Sequence, residues 1–350
     1  MRLPSTSEPT PSSSPSRIPR LVEQASGAPG TVLIVTRRLD DHVALVESEL
    51  AARGARAARL NTELYTQDRA LVRFRAGGAR ASAVLQIDGE AVDADDVGAV
   101  LFRHLHTPTA PDVAEGSARE LAESELRAAL EGSLLSLDAH WLNHPHDNRL
   151  ARHKPLQLAL AAREGLAVPD TRVTASPAEI RSLFRSWNGR MIAKLVGGQV
   201  VASSADEQHM VFTTLLDEDD LRDDAMLAAC PALYQRLIEK AFELRVTVVG
   251  DEVFTCRIDS QSTHDGTVDW RHAVTSGVGL EPYGLDPTLA RTCVALTRRM
   301  GLRFAGIDLI VTPDGEPVFL ELNAAGTWAW VQRSTGLPIA AALADELIAG

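Results

Sequence analysis

The chain has 350 residues, 45% apolar and 23% charged, which is an ordinary globular composition with enough length for two or three domains. Its formal net charge of −12 argues against nucleic-acid binding through a broad basic face. Three widely spaced cysteines without a CxxC pattern predict reduced thiols, and no apolar run suits a membrane span or a signal core. We therefore expect a soluble, cytoplasmic protein.

The first two segments are a tail and a small α/β domain. Residues 1–29 are rich in Pro and Ser and predict a disordered tail. Residues 30–140 predict an α/β domain that opens with a buried strand at Thr31 and continues with a helix from Asp40 to Arg53. No GxGxxG pattern follows the first strand, so the sequence gives no support to a dinucleotide-binding fold.

Residues 141–235 predict a linker and a central subdomain. A single helix is expected from Asn148 to Glu164, and a second one begins at Ser176, which suits a helix cap. Neither a Cys nor an HExxH pattern accompanies the nearby histidines, so we favour a polar loop over a zinc site. These histidines are His140, His144, His146 and His153.

Residues 236–350 predict a C-terminal subdomain built on hairpins. Its most informative stretch runs from Phe304 to Asn323, where two apolar runs flank an Asp-Gly turn signal at Asp314. A two-residue turn there places Asp308 opposite Glu321. It also pairs Ile307 with Leu322, Leu309 with Leu320 and Val311 with Val318.

The acidic pair predicts a metal site. Cross-strand neighbours have Cβ atoms about 4.5–5.5 Å apart, and two carboxylates that close repel each other unless a proton or cation lies between them. Asn323 follows on the same side and adds an amide oxygen, which completes an all-oxygen set suited to a hard divalent ion. A solvent face that is acidic by chance explains poorly why Asp308 and Glu321 alternate with apolar residues.

Candidate cations lie upstream of this hairpin. Lys194 stands in an apolar strand beside Gly197 and Gly198, where an anion would offset the cost of burying its charge. Lys154 near a helix start and Arg245 within a strand are further candidates. Each is more often a surface residue, but together with the acidic hairpin they indicate a magnesium-nucleotide site.

The order of these features resembles the ATP-grasp superfamily over roughly residues 140–330. The resemblance implies an α/β (α+β) class with an ATP-grasp fold behind an N-terminal pre-ATP-grasp domain. It also implies that ATP is bound, with its phosphates at Lys154 and Lys194, adenine at the backbone of Gln235, Arg236 and Leu237, and ribose near Glu243. Arg245 and Arg271 would lie near the γ-phosphate and the incoming carboxylate. Asp308, Glu321 and Asn323 would hold two magnesium ions.

A narrower resemblance covers nearly all of residues 31–350. Segments such as Arg245–Val249, Val268–Arg271 and Asn323–Trp330 are similar to those of graspetide synthetases, the microviridin-type peptide maturases. This implies a ribosomal precursor peptide as partner, with Asp or Glu carboxylates joined to Ser/Thr hydroxyls or Lys amines. A homodimer is compatible with the resemblance.

Two alternatives remain open at this point. One is an ATP-grasp ligase that acts on a free amino acid or on a protein C-terminus. The other is a leader-binding scaffold without catalysis, which is motivated by Arg236 in place of the hinge acid of many ATP-grasp enzymes.

Overall fold

A computed structural model gives the fold of the chain. The structure describes residues 30–65, 70–78, 80–106, 108–197, 200–202, 208–210, 213–262 and 278–350. The predicted tail at 1–29, Gly198 and the predicted site residue Arg271 lie outside the described residues. Within the described part, no helix combines the length and the apolar character that a membrane span requires.

The N-terminal domain is organised around a parallel sheet of four strands, in the order β2-β1-β6-β7. A second, antiparallel sheet, β3-β4-β5, adjoins it. The elements are β1 (Thr31–Thr36), α1 (Val43–Ala52), β2 (Ala57–Asn61), β3 (Ala70–Gly77), β4 (Arg80–Ile87), β5 (Glu90–Asp93), β6 (Val97–Phe102), α2 (Ser117–Leu135) and β7 (His140–Leu142). The predicted opening strand and first helix are present, with Val43, Val46 and Leu50 buried on one helix face. The parallel sheet extends through β7, because Leu142 pairs with Leu101 of β6.

The predicted single helix from Asn148 to Glu164 is wrong. Two helices occupy this stretch, α3 (Pro145–Ala151) and α4 (Lys154–Arg163). The break falls at His153, which has extended backbone angles and caps α4 just before Pro155 in its first turn. Proline suits the start of a helix but lacks the N–H that a continuous helix would need there.

The polar-loop interpretation of the four histidines is also wrong in part. His140 belongs to β7, and His144 and His153 are the N-caps of α3 and α4. Among the described residues, no three His, Cys, Asp or Glu side chains come together as a metal site.

The central region contains a small antiparallel sheet in the order β12-β9-β13-β8. Its elements are β8 (Thr171–Thr174), α5 (Pro177–Ser186), β9 (Met191–Lys194), β12 (Thr214–Leu215), α6 (Asp224–Ala228) and β13 (Ala232–Arg236), while β10 (Val200–Ala202) and β11 (Gln208–Met210) form a separate hairpin. Ser176 caps α5 as predicted, and Ile180 of that helix packs against Met191 and Tyr234 on one face of the sheet. The other face is therefore turned away from α5.

The C-terminal sheet has five antiparallel strands in the order β16-β15-β14-β17-β18. Its elements are β14 (Phe242–Val249), β15 (Glu252–Ile258), β16 (Leu280–Pro282), α7 (Pro287–Arg299), β17 (Phe304–Val311), β18 (Pro317–Asn323), α8 (Ala329–Thr335) and α9 (Ile339–Ala349). One face, which includes Val246 and Ile307, packs with residues of α4 and α7. At one end of the opposite face, Val249 and Phe304 pack with residues of α1, α8 and α9. This second apolar cluster joins the N-terminal domain to the C-terminal sheet.

The register of the β17–β18 hairpin matches the prediction at its open end and departs from it near the turn. Asp308 faces Glu321 and Ile307 faces Leu322, as predicted. Leu309 faces Phe319 and not Leu320, and Val311 faces Pro317 and not Val318, so these two predicted pairs are wrong. The connection from Thr312 to Glu316 is longer than two residues, which shifts the register by one. A bulge next to Asp308 then restores it.

Candidate active site

Two acids and an amide meet at the open end of the β17–β18 hairpin. Asp308 and Glu321 are directly opposite each other, and Asp308 is only 9% exposed. The Asn323 amide lies against both, with Nδ2 at 3.4 Å from Asp308 Oδ2 and 3.3 Å from Glu321 Oε1. The structure thus brings together the three residues predicted as metal ligands. These three side chains can offer only oxygen ligands to a magnesium ion. A 180° rotation of the Asn323 side-chain amide presents its Oδ1 beside the two carboxylates.

Arg245 joins this group from the neighbouring strand. It faces Asp308 across β14 and β17, and its Nη1 donates to Asp308 Oδ1 at 2.7 Å. Its Nη2 donates to the carbonyl of Thr327 at 3.1 Å. The guanidinium lies over Gly306, where a Cβ would come within 2.9 Å of Arg245 Cζ. Arg245 is 5% exposed, so the ion pair and the absence of a side chain at Gly306 together hold its charge in a buried place.

Glu243, predicted on the ribose side, is on the same face of β14 and is 4% exposed. Its carboxylate contacts the Lys240 ammonium at 2.6 Å. Burial raises the pKa of the Glu243 carboxyl, while Lys240 and a hydrogen bond from Ser260 act in the opposite direction. In this structure Glu243 therefore forms an ion pair with Lys240, which was not among the predicted site residues.

The predicted phosphate residue Lys154 contacts the end of the strand that carries the other one, Lys194. Lys154 Nζ donates to the carbonyl of Leu195 at 3.0 Å, immediately after Lys194. In the small sheet, Lys194 pairs with Leu233 and Ile192 pairs with Gln235, so Lys194 and Gln235 point to the same side, away from α5. The structure therefore places Lys194 and the first predicted hinge residue on the same face of this sheet, the one turned away from α5.

The predicted hinge residues already use much of their hydrogen-bonding capacity. Gln235 is 1% exposed and its Nε2 donates to Thr171 Oγ1 at 2.9 Å, while its buried Oε1 has no partner in the described part of the chain. The backbone N–H of Arg236 donates to Asp170 and that of Leu237 to Arg190. Adenine recognition at these residues stays a prediction.

Two buried amides that the sequence analysis missed hold the backbone after the acids. Gln157 of α4 accepts a hydrogen bond from the Leu322 N–H at 3.0 Å and donates to its carbonyl at 2.8 Å. Asn143, just after β7, donates to the Ala324 carbonyl at 2.9 Å. Both are under 5% exposed. Nothing in a single sequence separates such buried amides from the many that lie on a surface.

Comparison with protein families divides the chain into two matched parts. Residues 31–149 match the MvdD pre-ATP grasp domain, and residues 151–347 match the RimK-like ATP-grasp domain. The two matches account for both the parallel N-terminal sheet and the antiparallel C-terminal sheet with its acidic hairpin.

Solved structures resemble this fold over almost its whole length. A RiPP-associated ATP-grasp ligase of Chryseobacterium gregarium, in complex with ADP and a leader and core peptide, has a TM-score of 0.84 and 27% identity, covering 91% of this chain and 96% of that chain. The macrocyclase MdnC of Microcystis aeruginosa, bound with precursor peptide MdnA, has a TM-score of 0.80 and 28% identity, covering 91% of this chain and 100% of that chain.

Curated relatives match a smaller region. A probable alpha-L-glutamate ligase of Parasynechococcus marenigrum is 24% identical over 59% of this chain and 43% of its own length. One of Cellvibrio japonicus is 25% identical over 54% of this chain and 61% of its own length. This chain thus spans about half the length of the curated relatives it matches. Its sequence match and its fold agree, and the chain belongs to the RimK-like ATP-grasp family, with an MvdD-type pre-ATP-grasp domain in front of the ATP-grasp domain.

Proposed function

We propose that this protein is an ADP-forming ligase that links side chains within a ribosomal precursor peptide. It would join Asp or Glu carboxylates to Ser/Thr hydroxyls or Lys amines and so form macrocyclic ω-ester or ω-amide links. One observation carries the proposal: the acidic hairpin with Arg245 is built into a fold that, over 91% of the chain, matches ligases solved with leader, core or precursor peptides. Because the reaction consumes ATP, we place it in the cytoplasm.

The chemistry requires activation of a carboxylate, whose leaving group would otherwise be oxide. A carboxylate oxygen of the peptide attacks the γ-phosphorus of ATP, the bond to the bridging oxygen breaks, and ADP leaves. The hydroxyl or amine then attacks the acyl carbon of the acyl phosphate. Phosphate leaves, a proton is lost, and the peptide becomes lighter by one water. No protein nucleophile takes part, so catalysis rests on positioning and charge neutralisation.

The chain's own residues supply these two effects in our proposal. Asp308, Glu321 and Asn323 would hold two magnesium ions, which neutralise charge that develops on the phosphates. Lys154 and Lys194 would contact the phosphates from the central region. Arg245 would keep Asp308 oriented and would present its guanidinium beside the transferred group, with Arg271 as a second cation.

The nucleotide base would lie against the hinge. Gln235, Arg236 and Leu237 would line the adenine, and Gln235 Oε1 is a buried acceptor in need of a donor such as an adenine amino group. Glu243 would accept from the ribose once Lys240 moves aside.

The test is a reaction of purified protein with a candidate precursor and Mg-ATP. A product lighter by one water per link, with one ADP formed per link, is the expected result. Mild hydroxylamine should cleave ester links and leave amide links intact, which decides the bond type. An unchanged precursor without ADP, tested with the peptides encoded beside the gene, would count against the proposal.

A second candidate is a ligase that acts on a free amino acid or a protein C-terminus. The names of the curated relatives favour it, but the ligases of Parasynechococcus marenigrum and Cellvibrio japonicus match only 59% and 54% of this chain. This candidate predicts ADP formation with free glutamate and no precursor present.

A further inference from the structure

Four polar residues of the N-terminal domain form a largely buried network around Asp40, where that domain meets the ATP-grasp part. Asp40 is 7% exposed and Arg103 is 5% exposed. Asp40 Oδ2 accepts from Thr36 Oγ1 at 2.8 Å and lies 3.3 Å from Arg103 Nε, while its Oδ1 lies 2.8 Å from His42 Nδ1. Burial raises the pKa of Asp40, but His42, Arg103 and Thr36 together hold it well below its usual range. The carboxylate is thus charged and saturated with partners.

The network reaches across to the backbone that follows the acidic hairpin. His42 Nε2 accepts a hydrogen bond from the Trp328 N–H at 3.1 Å, and Arg103 Nη1 donates to the Gly326 carbonyl at 3.4 Å. Because Nε2 accepts, the imidazole proton is on Nδ1 and points at Asp40. The His42 ring also lies edge-on to the Trp328 indole, with ring centroids 5.2 Å apart. His42 therefore works as a neutral bridge between Asp40 and this backbone.

This backbone is the other half of the Arg245 site. We call residues 323–328 the post-hairpin segment. It begins with Asn323 and carries the Thr327 carbonyl, to which Arg245 Nη2 donates. A Cβ at Gly326 would come within 3.1 Å of that same nitrogen. Any shift of Gly326 or Trp328 would therefore move the contacts that hold the Arg245 guanidinium against Asp308.

We propose that Asp40, His42 and Arg103 are positioning residues of the ATP-grasp centre: they hold the post-hairpin segment, which keeps Arg245 and Asn323 in place beside Asp308. This inference rests on the proposed function for its chemistry, but the contacts themselves join residues far apart in sequence. The pre-ATP-grasp domain would thereby set the geometry at which magnesium and the γ-phosphate are bound.

A network that only stabilises the domain junction must be distinguished from one that positions the centre. The chain offers a matched control, because Arg53, the C-cap of α1, also bridges the N-terminal domain and the C-terminal part. Its Nε donates to Asp345 Oδ1 of α9 at 2.6 Å, and its other hydrogen bonds within the described part of the chain go to Glu49, Ala341 and Asp345. Arg53→Met should therefore remove a junction contact and leave the centre unchanged.

The experiment compares His42→Leu, His42→Gln and Arg53→Met in the full-length protein. The readouts are the Mg²⁺ concentration that gives half of the Tm shift caused by Mg-ADP, and kcat and KM for ADP formation with precursor. His42→Leu should raise the Mg²⁺ midpoint and lower kcat by about fivefold to tenfold each, on the scale of one lost buried hydrogen bond. KM for the peptide should stay within about twofold. His42→Gln, whose Oε1 can accept from the Trp328 N–H, should recover much of both losses.

Several results would overturn the inference. In the first, His42→Leu has a lower Tm but keeps the wild-type Mg²⁺ midpoint and kcat. In the second, Arg53→Met changes the Mg²⁺ midpoint and kcat as much as His42→Leu does. In the third, His42→Gln recovers neither the midpoint nor kcat. If His42→Leu does not fold, Asp40→Asn, which keeps the shape and weakens the Arg103 contact, replaces it with the same expected midpoint shift. If the wild-type protein binds Mg-ADP but forms no ADP with precursor, only the proposed function is contradicted, because the Mg²⁺ midpoint of the Tm shift still tests the network. If Mg-ADP does not shift the Tm of the wild-type protein, both the proposed function and the positioning role of the network are contradicted.

Discussion

Arg245 and Asp308 face each other on neighbouring strands of the C-terminal sheet, and their hydrogen bond of 2.7 Å is buried at the point where Glu321 approaches from the other side. Asp308 therefore lies between a cation and a second acid. This arrangement leaves the buried Asp308 carboxylate side by side with the partly exposed Glu321 carboxylate, which favours binding of a further cation.

Removal of both acids should abolish turnover. In Asp308→Asn with Glu321→Gln, ADP formation should fall by about 10³-fold or more, the scale of charge neutralisation in phosphoryl transfer. The measurement is ADP release under saturating Mg-ATP and precursor, on protein verified as folded because Arg245 loses its buried partner.

The control for this variant is Glu316→Gln, which changes an exposed acid in the turn of the same hairpin. It should retain wild-type turnover. Unchanged function in the double variant would instead support a leader-binding scaffold without catalysis.

Arg245→Lys should be far from conservative. One ammonium cannot reproduce the two directed N–H groups that reach Asp308 and Thr327 at once. We expect kcat to fall by about 10²-fold and the free energy of unfolding by about 1–3 kcal/mol, because the Thr327 carbonyl or the carboxylate loses its donor. Steady-state kinetics and urea unfolding measure the two effects.

Arg257→Lys is the matched substitution on the adjacent strand. Arg257 pairs with Glu281 at 3.4 Å, and both side chains are at least one-third exposed, with relative exposures of 36% and 62%. Such surface pairs contribute little, so this variant should keep wild-type kcat. The guanidinium also lies over the Phe242 ring, 4.2 Å from its centroid, so the free energy of unfolding should fall by up to about 1 kcal/mol. Equal kinetic losses in both variants would contradict the role assigned to Arg245.

Part of this site could be predicted from the sequence alone. Asp308 opposite Glu321 followed from alternating apolar residues around an Asp-Gly turn, and that pair is present. The register between Asp308 and the turn did not follow, because turn length and a bulge next to Asp308 offset each other and neither leaves a clear sequence signal. The same limit applies to the break at His153, where one proline decided between one helix and two.

Contacts between distant segments could not be predicted. The sequence indicated β14 and β17 as strands but not that they are neighbours, so the Arg245–Asp308 pair was not foreseen as an ion pair. The contact of His42 with Trp328 spans 286 residues and depends on how two domains pack. A local pattern carries no information about such packing.

A methyl group at Gly306 should displace Arg245. In Gly306→Ala the new Cβ would come within 2.9 Å of Arg245 Cζ, and the buried guanidinium has little room to move. We expect a loss of about 1–3 kcal/mol in the free energy of unfolding, as for other overpacked sites, together with reduced kcat.

The same substitution at Gly132 should change the free energy of unfolding in the opposite direction. Gly132 lies in α2, and beyond its chain neighbours and the backbone of its own helix, no atom of the described residues lies within 4 Å of its Cβ position. Alanine there should stabilise the protein by about 0.5–1 kcal/mol through helix propensity alone. A stabilised or unchanged Gly306→Ala protein with full activity would show that Arg245 does not need its present position.

The pH dependence of stability should show the titration of His104, a half-buried histidine next to Arg103. Burial, and then the charge of Arg103, lower the pKa of His104 from 6.5 to about 4. Between these two values the unfolded chain binds a proton that the folded chain does not, so the free energy of unfolding falls as the pH is lowered from about 6.5 to about 4. His104→Gln should remove roughly one proton from the slope over this window, measured by urea unfolding at several pH values. His146→Gln, at an exposed histidine, is the control. A slope in His104→Gln equal to that of the wild type would mean that His104 titrates alike in the folded and unfolded chains.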